Sequence, residues 1–256
     1  MLRAMKILLT NDDGIYAPGL AAMERALKRL GEVHVVAPAI EQSGVGHSIT
    51  FLSPLMAKEV FDGDRRRGWA VEGSPADCVK LAMSEFCPDA DLVVSGINGG
   101  LNVGINVLYS GTVAGATEGA VFGITSVAVS LEYDEHANFD RAGEMAARMI
   151  EQILAQRDAN SHKLYNINIP TVAMTRATEV RIVPMSTIGW PADYERRTDP
   201  KGRHYYWCMN SPAVPVAGGL TDLEALKDGF ITLTPLRIDR TEREELARMR
   251  DWKISL

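Results

Sequence analysis

The chain predicts an α/β domain built on a mainly parallel sheet, and three observations carry that reading. Short apolar runs of strand type recur from Lys6 to Ile169, separated by helical patterns. The first two runs are joined by one amphipathic helix in β-α-β spacing, which favours parallel neighbours. The predicted strands end in loops rich in Gly, Ser, Asn and Asp, and the carboxyl ends of parallel strands are where such sheets bind ligands.

The elements follow in order. Lys6 to Thr10 is a buried-type strand that ends in Asn11-Asp12-Asp13-Gly14. Pro18 suits a first helical turn, and Leu20, Met23, Leu27 and Leu30 share one helix face before Gly31. Val33 to Pro38 is the second strand, followed by a Gly- and Ser-rich loop over residues 39 to 50. Thr50 to Val60 and Gly68 to Glu72 form a hairpin around Asp62-Gly63-Asp64, with Arg65-Arg66-Arg67 as a solvated charge run. Ser74-Pro75-Ala76-Asp77 starts a helix that reaches about Phe86, with Ser74 as N-cap and a carboxylate three residues on.

Asp91 to Gly96 is a further strand, leading into a loop from Ile97 to Gly111. Thr112 to Phe122 is a small-residue helix, Ser126 to Leu131 a strand, Phe139 to Arg157 a long amphipathic helix, and Tyr165 to Ile169 a strand. From about residue 178 the texture changes. Glu179 to Met185, His204 to Met209 and Phe230 to Leu236 look like strands and Thr241 to Met249 a charged helix, without regular alternation. A single domain is expected, with a core over about 1–178 and an appendage, arm or subunit contact over about 179–256.

Composition sets limits on function. The 256 residues are 46% hydrophobic and 23% charged, ordinary values for a soluble globular protein. A net charge of -6 gives no electrostatic reason to expect duplex nucleic acid as a partner. Cys78, Cys87 and Cys208 lack metal-type spacing and fit a reducing compartment. There is no signal-peptide pattern and no run long enough to span a bilayer, so no membrane association and a cytoplasmic location are expected.

The chemistry gathers at the strand ends. Adjacent carboxylates at Asp12 and Asp13 are costly to ionise together, and a hard divalent cation removes that cost. The same stretch also reads as a polar turn that caps the next helix. Ser43 and Asn98 follow other strands and converge on the same sheet edge. Two carboxylates, a hydroxyl and an amide carbonyl make an oxygen-only shell suited to Mg²⁺ or Mn²⁺ rather than Zn²⁺. Ser110-Gly111-Thr112 before a helix offers free N–H groups, a positive helix end and hydroxyl donors for a phosphate, or is simply an N-cap. His47, in the Ser43 loop, is a candidate to protonate a leaving group, although a packing role is the simpler reading. Trp69, Trp190 and Trp207 have rings suited to a base, but core or subunit packing is the simpler reading of each. A dinucleotide-binding turn does not fit, because Asp12 and Asp13 would repel a pyrophosphate, and no P-loop pattern occurs.

Five stretches in order, Thr10-Asn11-Asp12-Asp13-Gly14, Ala37-Pro38 with Ser43-Gly44, Gly73-Ser74-Pro75-Ala76-Asp77-Cys78, Ser95-Gly96-Ile97-Asn98 with Gly100 and Asn102, and Tyr109-Ser110-Gly111-Thr112, resemble the signatures of the SurE family. The one departure is Ser74, where the family more often has Thr; both cap a helix. The resemblance is strong over the first half and loose over the C-terminal third. It implies a three-layer α/β/α Rossmann-like core and metal-dependent hydrolysis of nucleoside 5′- and 3′-monophosphates, with short polyphosphate as a further substrate. It implies one divalent metal per subunit, Mg or Mn, held by Asp12, Asp13, Ser43 and Asn98, and phosphate contacts from Asn102, Ser110, Gly111 and Thr112. It also implies homodimers or homotetramers that exchange C-terminal segments.

The expected mechanism has a metal-activated water as nucleophile, oriented or deprotonated by Asp12 or Asp13. A covalent aspartyl-phosphate on Asp12 is the alternative chemistry. A nucleotide-binding module without turnover is the alternative function. A glycosyltransferase would need a second nucleotide-binding domain, and the 256 residues show no pattern for one.

Overall fold

The structure is a computed structural model and describes residues 3–156, 162–188, 193–209 and 220–255. Strand β1 (Lys6–Thr10) lies between β2 (Glu32–Pro38) and β5 (Leu92–Gly99), parallel to both. The hairpin β3 (Ala57–Asp62) and β4 (Arg65–Val71) extends the sheet beyond β2. On the other side follow β6 (Thr125–Leu131), β7 (Leu164–Ile169), β11 (Ile231–Pro235) and β8 (Val180–Ile182). The full order is β3-β4-β2-β1-β5-β6-β7-β11-β8. Only the β3/β4 and β7/β11 pairs are antiparallel.

Alternation along the strands builds two faces. Ile7 and Leu9 pack with α1 (Pro18–Leu27) and α4 (Phe139–Gln156), whereas Leu8 packs with α2 (Pro75–Leu81) on the opposite face. The helix α3 (Gly111–Val121) lies on the α2 side. The result is the expected three-layer α/β/α arrangement. Ile7, Leu8 and Leu9 are fully buried, and truncating any one to Ala would cost about 2–5 kcal/mol.

The α3 helix is unusual in how closely it approaches the sheet. Added Cβ atoms at Gly115 and Gly119 would fall 2.9 Å from Ser95 Oγ and 2.5 Å from Ser126 Oγ. Gly111, Gly115 and Gly119 are spaced four apart and so share one helix face. Only hydrogens fit between that face and the strands.

Several local expectations change. The Ser74 cap forms as read, with Asp77 N–H donating to Ser74 Oγ and Ser74 N–H donating to Asp77. The helix it starts ends at Leu81 and continues as a wider π-turn over Ala82–Phe86. β5 runs past Gly96 to Gly99 because Asn98 and Gly99 still pair with Ser130 and Leu131. The hairpin strand starts at Ala57 rather than Thr50. Arg67 is not solvated: it pairs with Glu24 at 2.8 Å and donates to Ile15 O at 2.7 Å.

The main sheet also does not stop at residue 178. β8 and β11 join it, and α5 (Asp222–Lys227), which the sequence reading missed, packs on β11. What stands apart is a separate two-stranded sheet of β9 (Tyr194–Thr198) and β10 (His204–Cys208), together with α6 (Arg243–Met249). Every residue of β9 and β10 is exposed, and α6 buries none.

Candidate functional site

Chain direction reverses about β1. The chain passes from β1 to β2 on one side, then crosses to β5 on the other. The crevice at the carboxyl ends of β1 and β5 is therefore a topological switch point, the position where open α/β sheets bind ligands. Asp12 and Asp13 follow β1 directly, and Asn98 lies at the end of β5.

Asp12 is buried, with 6% of its surface exposed. Thr112 Oγ1 donates to its Oδ1 at 2.5 Å. Burial drives the Asp12 carboxyl up to about 6, against the lowering effect of the Thr112 hydroxyl, and the charge of Asp13 adds to the rise. The Asp13 carboxyl is also raised, first by burial, with Gly99 N–H holding it down and Glu41 pushing it up. Among the described residues neither carboxylate belongs to an ion pair.

The neighbouring turns close around this pair. An added Cβ on Gly111 would meet Asp12 Cβ at 2.9 Å and Asp12 Oδ2 at 3.1 Å, so only glycine lets the α3 start come this near. Gln42 N–H donates to Asp12 O at 2.8 Å, which brings the Ser43 loop to the same point. Gly99 N–H reaches Asp13 Oδ2 at 3.3 Å, setting Asn98 beside it. The Asn98 amide nitrogen donates to Gly100 O at 2.7 Å, leaving its carbonyl oxygen unused by that bond. Ser43 Oγ donates to Glu41 Oε1 at 2.6 Å and keeps lone pairs for a cation.

The donor set tests the fit of a metal. Two carboxylates that raise each other's cost, an amide oxygen and a hydroxyl form a hard oxygen shell, the preference of Mg²⁺ or Mn²⁺. No cluster of three or more His, Cys, Asp or Glu side chains suited to a metal occurs among the described residues. Any cation here would thus rely on Ser43, Asn98 and water to complete its shell. The residues present fit a lightly held divalent ion.

The expected phosphate contacts divide. Ser110 caps α3, its Oγ accepting from Val113 N–H at 3.1 Å while its own proton stays available. Gly111 leaves the helix start open. The Thr112 hydroxyl, by contrast, is fully buried and bonded to Asp12, so it positions that carboxylate. Asn102 is tied into the sheet: its side chain donates to Ser130 Oγ at 2.9 Å, and its carbonyl accepts from Asn166 and Asn168.

The sequence reading missed Glu41, which approaches Ser43 and Asp13, and Glu118. Glu118 is buried on α3 and takes His47 Nε2 at 2.7 Å and Lys80 Nζ at 3.1 Å. These partners hold its carboxyl below the usual range despite burial. His47 thus links the Ser43 loop to α3. A single carboxylate inside a helix of small residues was the signal that would have found Glu118. Trp69 stacks on Phe86 with centroids 4.2 Å apart, a packing role; Trp207 stands exposed on β10, and Trp190 lies outside the described residues.

The sequence model of the family described as "Survival protein SurE" matches residues 7–192. A Rhodopirellula baltica protein named 5′-nucleotidase SurE is 53% identical over 253 residues, covering 98% of this chain and 99% of that protein. One of the same name from Desulforudis audaxviator is 42% identical, covering 98% of each. The crystal structure of the SurE protein from Aquifex aeolicus superposes with a TM-score of 0.82 at 34% identity, covering 96% of this chain and 98% of that one. With the family model spanning most of the sequence and relatives matching it end to end, the chain belongs to the SurE family.

Proposed function

We propose that this protein is a metal-dependent 5′-nucleotidase that hydrolyses nucleoside monophosphates to nucleoside and phosphate. The observation that carries the reading is the buried Asp12 beside Asp13, with no ion-pair partner among the described residues, at the sheet's switch point against the start of α3. Asp12, Asp13, Ser43 and Asn98 would hold one Mg²⁺ or Mn²⁺ ion. Bound there, the ion would neutralise phosphate charge and acidify a water.

The protein's own groups do the rest. Thr112 fixes Asp12 through Oδ1, so Oδ2 is the oxygen that faces the open side of Gly111. Asp12 or Asp13 receives the proton of the attacking water. The Ser110 hydroxyl and the backbone at Gly111 and Thr112 receive the phosphate at the helix start, where N–H groups and the helix dipole favour an anion. Asn102 shapes the loop that leads there.

Action on 3′-monophosphates and short polyphosphate belongs to the same proposal, since both present a terminal phosphate to the same groups. So does assembly as a homodimer or homotetramer in the cytoplasm. The β9–β10 hairpin and α6, rather than everything after residue 178, form the segment proposed for oligomerisation.

Phosphate release from a panel of nucleoside 5′- and 3′-monophosphates, with EDTA, Mg²⁺ or Mn²⁺, tests the reading. Metal-dependent release is expected. Nucleotide binding without release under any metal would leave a binding module instead, and trapping a phosphorylated Asp12 would replace the water nucleophile with a covalent route.

A further inference from the structure

The proposed metal ligands have α3 on one side. On the other side lies Gly99, whose N–H bonds Asp13 and which offers no side chain. An added Cβ there would lie 3.5 Å from the Tyr133 ring and 3.6 Å from Phe139 Cζ, so both rings flank Gly99. Tyr133 is 68% exposed, an unusual state for a large aromatic that follows a central strand.

The side chains on either side of Tyr133 are pinned. Thr171 N–H donates to Glu132 Oε2 at 2.8 Å, and the Thr171 hydroxyl lies 2.7 Å from Asp134 Oδ2. Asp134 also accepts from His136 N–H at 2.7 Å. Phe139 supports the ring from behind, with centroids 6.3 Å apart and planes tilted by 33°. The ring is thus held in place with a face in water, beside the residue that touches Asp13. A pre-ordered, half-supported aromatic is what a planar ligand needs, because little is lost in ordering it.

We propose that Tyr133 is the platform on which the nucleobase of the substrate stacks, and that it sets the preference for nucleotides over smaller phosphomonoesters. The proposal rests on the nucleotidase reading above. Every base has a π-face, so this contact is tolerant of base identity. It acts on the nucleoside half of the substrate alone.

Both products report on the two halves separately. In Tyr133→Ala, the KM for adenosine monophosphate and the inhibition constant of free adenosine should each rise about tenfold. The inhibition constant of inorganic phosphate and kcat should hold. Tyr133→Phe and Tyr133→Trp keep a ring and should stay near the wild type. An unchanged adenosine constant in Tyr133→Ala overturns the proposal. So does a rise shared equally by adenosine and phosphate, which would mean a distorted site. A wild type that releases no phosphate from any nucleoside monophosphate with either metal overturns the nucleotidase reading itself, a result distinct from both.

Discussion

The strand-end crevice and the β9–β10 hairpin are both built from short strands and loops, yet they solve opposite problems. Around the crevice the strands are buried on both faces, and several polar side chains are held by neighbours, Asp12 by Thr112, Asn102 by Ser130 and Glu118 by His47 and Lys80, while the buried Asn11 Oδ1 and Ser95 Oγ are left without a hydrogen bond among the described residues. In the hairpin's two strands every residue is exposed, including Tyr205, Tyr206 and Trp207. A lone two-stranded sheet is marginal in water. The crevice is stable and costly, because it confines carboxylates; the hairpin is cheap and unfinished. Under the proposed function, chemistry belongs to the first region and assembly to the second.

The sharpest way to break this division is at Asp12. Asp12→Asn should lower metal-dependent phosphate release ~10²–10⁴-fold. It should also stabilise the metal-free protein at pH 8 by on the order of 2–3 kcal/mol, since a carboxyl raised from 3.8 to about 6 is a burden when ionised. Thermal melts with EDTA check this, and a metal-free variant less stable than the wild type would count against it. Next comes Gly111→Ala, whose Cβ falls 2.9 Å from Asp12 Cβ. A cost of about 1–3 kcal/mol and a ~10²-fold loss of turnover are expected, read by melting and steady-state kinetics.

The pH dependence follows with a definite sign. The folded protein favours the protonated form of Asp12, so without metal this group's contribution to stability is full below its unfolded value and fades as pH rises through about 6. A cation needs the ionised form. Affinity for Mg²⁺ or Mn²⁺ should therefore fall, by up to about tenfold per pH unit, below pH 6; calorimetric titration across pH 5–8 measures it. The smallest effect belongs to the other region. Serine at both Tyr206 and Trp207 should move the protein to smaller species on size exclusion, while shifting the monomer's stability by only about 0.5 kcal/mol. Unchanged assembly would remove the hairpin from that role.

The sequence was legible where a residue's role is set by its neighbours in the chain. The strands from Lys6 to Ile169, the Ser74–Asp77 cap and the Asn-Asp-Asp-Gly turn each follow from local pattern and turn chemistry. It was silent where a role depends on contact across the fold. Nothing near Thr112 says that its hydroxyl turns to Asp12, 100 residues away in the chain. Glu118, Lys80 and His47 meet from three separate elements. The same limit applies to β8 and β11: both runs read as strands, but their place in the main sheet depends on β7 offering β11 an edge and β11 in turn offering one to β8.

The glycine face of α3 sets a tolerance as well as a fit. Gly115 and Gly119 seat the helix against Ser95 and Ser126, so main-chain thickness alone fixes how far its first turn stands from β1. Such a spacer has no adjustable part: a methyl group anywhere along it lifts the whole helix rather than one contact. Diversification of substrate choice is then pushed outward, to rim positions such as the proposed platform Tyr133 that can change without moving the gauge. A library for new substrates should hold residues 111–119 constant and spend its variation on that rim.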